Sequence, residues 1–204
     1  YKKRIAGYNL GSYERLEKMK VQYAEWILKF PRKKMNLQNC ENCEGNDIFN
    51  SRNSYGFSIL GADHAKYCYQ GDLNSYSYDI ISSGRPNWCY EGMTPDDSYM
   101  SLFTWFSWKN KYNLYTINCH SSEYLFGCVS LHRSKYCILN KQYSKEEYDA
   151  LMPRIIEHLT KTGEWGEFPP VQISFFPYNE TVAQEYFPST KEKILAKGWQ
   201  WKDP

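Results

Sequence analysis

The feature that most constrains this chain is a repeat in which two aromatic patterns recur in step. The first is Ser-Tyr, with Ser-Glu-Tyr as a looser last copy, and its tyrosines are 21, 23 and 25 residues apart: Tyr55, Tyr76, Tyr99 and Tyr124. The second follows each of these after 12, 12, 13 and 12 residues: Tyr67, Trp88, Tyr112 and Tyr136. Self-similarity with a period of this size is typical of solenoid proteins.

The repeat region, residues 36–143, is rich in Asn, Ser, Tyr, Cys, Gly and Asp and shows no helical period. Leucine-rich repeats share the period, but Leu is scarce between residues 61 and 113. Segments such as Tyr55–Ile59 and Tyr76–Ile80 alternate and are interpreted as strands with one face inward, with Gly and Pro at the corners. The sequence therefore predicts a mainly β fold: a short right-handed parallel β-helix of about four coils, in which the eight repeated rings stack in ladders.

Both ends of the repeat region carry helical patterns. Residues 12–30 have Ser12 as an N-cap and an apolar residue at every third or fourth position: Leu16, Met19, Tyr23, Trp26, Ile27 and Phe30. Residues 144–160 begin with a Ser144/Glu147 capping box, and Gly163 is the expected C-cap. We predict three parts: a basic capping helix (1–35), the β-helix (36–143), and a C-terminal helix with an aromatic tail packed on the solenoid (144–204).

Charge is unevenly distributed along the chain, whose formal net charge is +2. Residues 1–35 hold ten Lys or Arg against three Asp or Glu, whereas the rest is mildly acidic. A basic segment next to abundant rings can neutralise phosphates and stack on bases, so nucleic acid is one candidate partner. The residues that would contact it are Lys2, Lys3, Arg4, Arg32, Lys33 and Lys34. A solvated helix face is the simpler interpretation of the same charges.

The seven cysteines favour free thiols over a disulfide framework, because a chain of this length does not need disulfide bonds to stabilise its core. No export signal or long apolar run is visible, so we expect a cytoplasmic location and no membrane partner. Cys40 and Cys43 form the one CxxC, but a structural zinc site takes four ligands and no second such pair exists. We expect no cofactor in this chain, with zinc at these two residues as the alternative.

No catalytic constellation stands out. Asp63–His64 near Lys66, and Cys119–His120 with Cys128, contain suitable residue types without a nucleophile elbow or an HExxH motif. A glycan-binding or glycan-active β-helix would use clustered carboxylates with a base nearby, and the candidates are Asp72, Asp79, Asp96, Asp97 and Arg85. We therefore predict no catalytic residue.

Several sequence segments, most of them in the second half of the chain, are distinctive. They are Lys135–Tyr148, Thr162–Phe168 and Tyr178–Pro188, together with Asn9–Glu14 near the start. In these the chain resembles the C-terminal portion of an uncharacterised family from small-genome, uncultivated bacteria, whose members join a basic zinc-ribbon region to a Cys/Asn/Tyr-rich repeat region. The resemblance implies a missing upstream zinc ribbon and no particular activity.

From these observations we expect a non-enzymatic β-helix scaffold that binds an unknown macromolecule. The alternatives are a nucleic-acid-binding accessory module that uses the basic N-terminal segment, and a glycan-directed β-helix. The oligomeric state does not follow from the sequence.

Overall fold

The structure is a computed structural model that describes residues 5, 7–8, 11–31, 33 and 35–203. Its centre is one sheet of eleven strands in which each strand pairs with the next along the chain. All neighbouring strands are parallel except the last pair. The strands are β1 (Leu37–Gln38), β2 (Glu44–Phe49), β3 (Tyr55–Leu60), β4 (Lys66–Asp72), β5 (Tyr78–Gly84), β6 (Tyr90–Asp96), β7 (Leu102–Trp108), β8 (Leu114–Ile117), β9 (Glu123–Phe126), β10 (Lys135–Ile138) and β11 (Lys141–Gln142).

The β-solenoid is confirmed, but the predicted number of about four coils is wrong. One column of residues, paired through the backbone, has a member in every coil: Glu41, Arg52, Asp63, Ser75, Asn87, Tyr99, Lys111, Glu123 and Lys135. Its nine members are 11 or 12 residues apart and define eight turns. The coil is therefore half as long as predicted.

The error has a simple cause in the repeat itself. The two aromatic patterns are 12 residues apart because 12 residues make one complete coil. Tyr76, Trp88, Tyr112, Tyr124 and Tyr136 therefore occupy one column, with Met100 between Trp88 and Tyr112, as the backbone pairing shows. A pattern that returns in every second coil has about twice the true period.

The other three predicted ladder residues lie elsewhere. Tyr99 belongs to the neighbouring column, between Asn87 and Lys111. Tyr55 pairs with Lys66 on the following side, where Tyr67 occupies the next corner. A period measured from short patterns is off by one to three residues at these places, which is enough to move a side chain to another side.

Each complete 12-residue coil has four sides of three residues: one outer residue, one corner residue and one inner residue. The corner residues have positive φ, as at Leu73, Tyr76 and Asp79, and each precedes a buried inner residue, as at Asn74, Ser77 and Ile80. Left-handed backbone at every third residue turns the chain repeatedly and replaces the strict alternation of a flat strand. The inward-facing alternation predicted for Tyr55–Ile59 and Tyr76–Ile80 is therefore wrong, because in each segment the isoleucine is buried and the rings are not.

A coil this short encloses room for small side chains only. Apolar inner residues gather at both ends of the solenoid, with Ile48, Ile59 and Ile80 in the first half and Cys119, Leu125 and Cys128 in the second. The middle coils bury polar residues instead: Ser98, Ser101, Thr104, Ser107, Asn110, Asn113, Thr116 and Ser122.

Hydrogen bonds stabilise the serines and asparagines of this polar interior, whereas the buried hydroxyls of Thr104 and Thr116 have no partner among the described residues. Ser77 Oγ donates to the carbonyl of Ser75 at 2.9 Å and accepts from the N–H of Cys89, one coil further on, at 3.2 Å. Asn113 makes both of its bonds with the next coil: its Nδ2 donates to the Ser122 carbonyl, and its Oδ1 accepts from the Leu125 N–H. Buried polar groups cost little once both donor and acceptor are paired.

The helices form where the sequence predicts them. Helix α1 (Tyr13–Ile27) is capped by Ser12, whose Oγ accepts from the Arg15 N–H. Helix α2 (Lys145–Thr162) has the Ser144/Glu147 capping box and ends at Gly163 in left-handed geometry. Two short helices follow, α3 (Val182–Tyr186) and α4 (Lys191–Ala196). No helix in the described ranges has the length and apolar character needed to cross a membrane.

The two predicted caps differ in their contacts. Helix α2 buries Tyr148 and Met152 against Ile138 on the outer side of the last coils. The tail beyond it follows the solenoid, since the Gly166 N–H donates to the Tyr115 hydroxyl at 2.9 Å. Helix α1 has no buried residue, so its predicted capping role stays a prediction.

Candidate binding surface

The regular coil sorts outward side chains into columns that run the length of the solenoid. Parallel strands in a sheet are about 4.8 Å apart, so residues at equivalent positions in neighbouring coils stack directly on one another. Two of these columns are rich in large apolar side chains. We call one the ring ladder and the other the apolar stripe.

The ring ladder follows one corner and contains His64, Tyr76 and Trp88, then Met100, then Tyr112, Tyr124 and Tyr136. His64 and Tyr76 have ring centroids 4.7 Å apart, and Tyr76 and Trp88 have centroids 4.8 Å apart, with planes within 12° of parallel. The flat faces of these rings therefore contact each other, and the edges point to solvent. The ladder stabilises the solenoid and offers few free ring faces to a base or a sugar.

The apolar stripe lies on another side and consists of Phe57, Tyr69, Ile81 and Met93, continued by Trp105, Ile117 and Val129. Every one of its seven positions is apolar or aromatic, although all are on the outside. Phe57, Tyr69, Ile81 and Met93 retain 46%, 44%, 45% and 36% of their surface exposed. Exposed apolar residues in a continuous row mark interaction surfaces more often than scattered ones do.

The chain's own tail lies over the middle of this stripe, from Met93 to Ile117. Residues 169–171 and 173–176 line a groove together with Met93, Trp105, Phe106 and Ile117. Phe168 stacks on Trp105 at a centroid distance of 6.3 Å and meets Phe103 edge-on. The near half, from Phe57 to Ile81, has no such cover among the described residues, as its exposure shows.

Carboxylates lie along both edges of the stripe. Asp79 and Glu91 occupy the preceding corner, whereas Asp72 and Asp96 occupy the outer column that follows, where Asp96 accepts a hydrogen bond from the Gly84 N–H. Within the described part of the chain, none of these four carboxylates forms an ion pair. By contrast, three carboxylates in other columns are paired with cations: Asp63 with Arg52, Asp97 with Arg85 and Glu123 with Lys135.

No protein-family model, curated protein or solved structure matches this chain. Its surfaces must therefore be interpreted from their own geometry.

The thiols of Cys40 and Cys43 are inner residues of the first coil. Cys40 Sγ donates to the carbonyls of Gln38 and Ile48, and Cys43 Sγ donates to those of Glu41 and Ser51. Cys68 and Cys89 make the same two kinds of contact in later coils. The described residues contain no group of three His, Cys, Asp or Glu that could hold a metal ion, so zinc at this pair stays a prediction.

The two candidate catalytic pairs have structural partners instead. His64 Nδ1 lies 2.6 Å from Asp63 Oδ1, but Asp63 also pairs with Arg52, which lowers its pKa, and the His64 ring is stacked on Tyr76. Lys66 lies in the next outer column, over the rings of Tyr55 and Tyr78. No acid–base site with a free nucleophile results.

In the second pair, the Cys119 and Cys128 thiols point into the core and donate to backbone carbonyls. Burial raises the pKa of both thiols, which disfavours the thiolate that a nucleophile needs. The His120 ring points into the outer column between Trp108 and His132. The thiols therefore face the interior of the coil, whereas the imidazole faces outward.

The glycan candidates do not converge. Arg85 and Asp97 are corner residues of neighbouring coils, with Nε and Oδ1 3.7 Å apart. Asp79 is a corner residue on another side, where it precedes the inner residue Ile80. The three residues therefore cannot act on one sugar, and the glycan alternative loses its candidate site.

Most of the proposed nucleic-acid contacts lie outside the described residues. These are Lys2, Lys3, Arg4, Arg32 and Lys34, whereas Lys33 is described and exposed. On the solenoid, Arg52, Arg85 and Lys135 are paired with carboxylates. The stacked rings of the ladder are also occupied by one another, which leaves few ring faces for a base.

The sequence interpretation did not single out the apolar stripe. Its signal is nonetheless present, because apolar residues recur at intervals of 12 from Phe57 to Val129. A search at the true coil length finds this column, whereas a search at twice that length skips every second member.

Proposed function

We propose that this chain is a non-enzymatic β-solenoid scaffold that binds a protein partner along the uncovered half of the apolar stripe. The observation that carries the proposal is the row of Phe57, Tyr69 and Ile81, all outward-facing and close to half exposed. The tail already lies over the neighbouring part of the same stripe, from Met93 to Ile117, which supports a surface suited to an apolar segment.

The rest of the molecule agrees with a binding role. The thiols and the imidazoles that could serve chemistry have structural contacts within the coil or between coils. All seven cysteines are free thiols, which supports the proposal that the protein functions in a reducing compartment such as the cytoplasm. The likeness to zinc-ribbon repeat proteins remains part of the same proposal, with the scaffold as one region of a larger protein.

Site-specific photo-crosslinking tests this proposal. A benzophenone amino acid replaces Tyr69 on the stripe or, as a matched control, Trp88 on the ring ladder, since both are exposed aromatic residues. We expect discrete adducts in producing cells from position 69, abolished by Ile81→Asp, and none from position 88. Equal adduct patterns at the two positions, or no adduct at position 69, would overturn the proposal.

A further inference from the structure

Acidic side chains border the uncovered half of the apolar stripe on two sides. They are Asp79 and Glu91 at the preceding corner, and Asp72 and Asp96 in the outer column that follows. Neighbouring coils are about 4.8 Å apart, so Asp79 and Glu91 place two like charges side by side. Like charges on neighbouring strands destabilise each other, and a cation that contacts both relieves the repulsion.

Among the described residues, one cation accompanies these four carboxylates. Lys66 lies in the outer column that precedes the stripe, with its Nζ 5.5 Å from the ring centroids of both Tyr55 and Tyr78. In the columns and corners that adjoin the uncovered half, the described part of the chain has no other Lys, Arg or His. The carboxylates that are paired with cations lie in other columns: Asp63, Asp97 and Glu123. The surroundings of the uncovered row are therefore net negative.

This charge indicates the class of partner. Nucleic acids and anionic lipid headgroups carry phosphates, which the carboxylates repel. A protein segment with apolar side chains flanked by Lys or Arg complements both the row and its edges. Opposite charges around an apolar centre favour association and fix its orientation.

The spacing of the row favours a helix over an extended strand. Phe57 and Ile81 are two coils apart, which is about 9.6 Å at the spacing of parallel strands. Two turns of an α-helix advance about 10.8 Å. Side chains on one face of a strand advance about 6.8 Å at each step, or about 13.6 Å in two steps. A helix along the row therefore places one apolar residue per turn close to each coil, as in other complexes of a helix with an apolar groove.

We propose that the partner of the uncovered half of the stripe is a basic amphipathic helix of another protein. Its apolar face contacts the row from Phe57 to Ile81, and its Lys or Arg side chains pair with carboxylates at both edges, including Asp72 and Asp79. The chain's own tail bounds this site, because the groove under the tail begins at Met93. This inference rests on the proposed function, since it names the partner of the same surface.

Fluorescence anisotropy with two designed, fluorescein-labelled peptides tests the inference. Both peptides are amphipathic helices with the same leucine face, and their remaining positions are lysine in one and glutamate in the other. We expect the lysine peptide to bind the full chain about tenfold or more tightly than the glutamate peptide. Its affinity should decrease as the salt concentration rises, because salt screens exposed charges.

Two double variants separate the edges of the stripe from acidity elsewhere. Asp72→Asn with Asp79→Asn should weaken binding of the lysine peptide about fivefold or more, as expected for two surface ion pairs. Asp63→Asn with Asp97→Asn is the matched control, because it also removes one outer and one corner carboxylate, and it should leave the affinity unchanged. Tyr69→Ser removes an apolar contact and should weaken binding about tenfold. Circular dichroism and thermal unfolding of each variant report whether it is folded.

Three results would overturn the inference. They are a lysine peptide that does not bind, equal affinities for the two peptides, and equal effects of the two double variants.

The crosslinking experiment distinguishes this inference from the proposed function. Mass spectrometry identifies the segment joined to position 69, and a helix-forming segment with Lys or Arg beside apolar residues supports the inference. A segment without such cations, or an adduct of about twice the 24.2 kDa chain from a second copy, would leave the proposed function standing and overturn the basic helix. The absence of any adduct at position 69 would overturn both.

Discussion

The hydroxyl of Ser77 accepts a hydrogen bond from the backbone N–H of Cys89, one coil further along the solenoid, at 3.2 Å. The same hydroxyl donates to the carbonyl of Ser75. One small side chain thus forms a hydrogen bond to a carbonyl of its own coil and another to an amide of the next coil. This relationship recurs with Ser51 and Ala62, with Ser54 and Ala65, and with Ser107 and Cys119.

Ser77→Ala should destabilise the fold by about 1–3 kcal/mol, because it leaves a buried N–H without a partner. Ser77→Cys should cost less, since Cys128 shows that a thiol can accept from the N–H of the next coil. Urea unfolding at constant m-value measures both. Equal losses for the two variants would contradict the role given to the Oγ.

Met100→Tyr should stabilise the solenoid by about 0.5–1.5 kcal/mol, the range for a stacked ring pair. Met100 interrupts the ring ladder between Trp88 and Tyr112, and its backbone pairs in the same column. Leu73→Tyr is the control, because Leu73 is also an exposed corner residue but has Gly61 and Arg85 as its neighbours. Thermal unfolding should show a gain for position 100 only.

Stability should decrease below about pH 6.5 because of His120. Burial, and then the neighbouring His132, lower the pKa of His120 from its ordinary value of 6.5. A lowered pKa in the folded state means that the unfolded chain binds the proton more tightly, so stability is present above pH 6.5 and is lost as the pH falls.

His120→Gln should flatten this acid-side loss. The measurement is the free energy of unfolding in urea at pH 7.5 and pH 5.5, for the unmodified chain and the variant. His158→Gln, on an exposed turn of helix α2, is the control that should keep the original slope. A variant at position 120 with the same slope as the unmodified chain would refute the assignment.

The seven thiols should divide into two reactivity classes. Cys40 and Cys43 are half-buried in the first coil, whereas the other five are buried. Burial raises the pKa of Cys89 to about 11. Burial also raises the pKa of Cys43, so exposure separates the two classes: iodoacetamide at pH 8 should label Cys40 and Cys43 and reach the five buried thiols only after unfolding.

Mass spectrometry of the labelled peptides reads out this experiment. Labelling of Cys89 or Cys128 in the folded chain, at a rate comparable to that of Cys40, would contradict the inner placement of these thiols.

Part of the architecture follows from local chemistry. Ser12, Ser144, Glu147 and Gly163 mark helix ends through contacts between near neighbours, and these were predictable for that reason. The existence of a solenoid was predictable too, because a repeated side-chain pattern needs only a common period to be visible. The coil length was not, since the most conspicuous pattern returns in every second coil.

The sequence by itself determined that this chain winds as a repeating β structure with helices at its ends, because both depend on spacing and local capping. Only the tertiary structure decided which side each residue occupies. A corner at every third residue makes the direction of a side chain depend on a backbone turn that no alternation reveals. Phe57, Tyr69 and Ile81 became one exposed row only when the coils were stacked, since their neighbourhood is created by pairing between residues 12 apart.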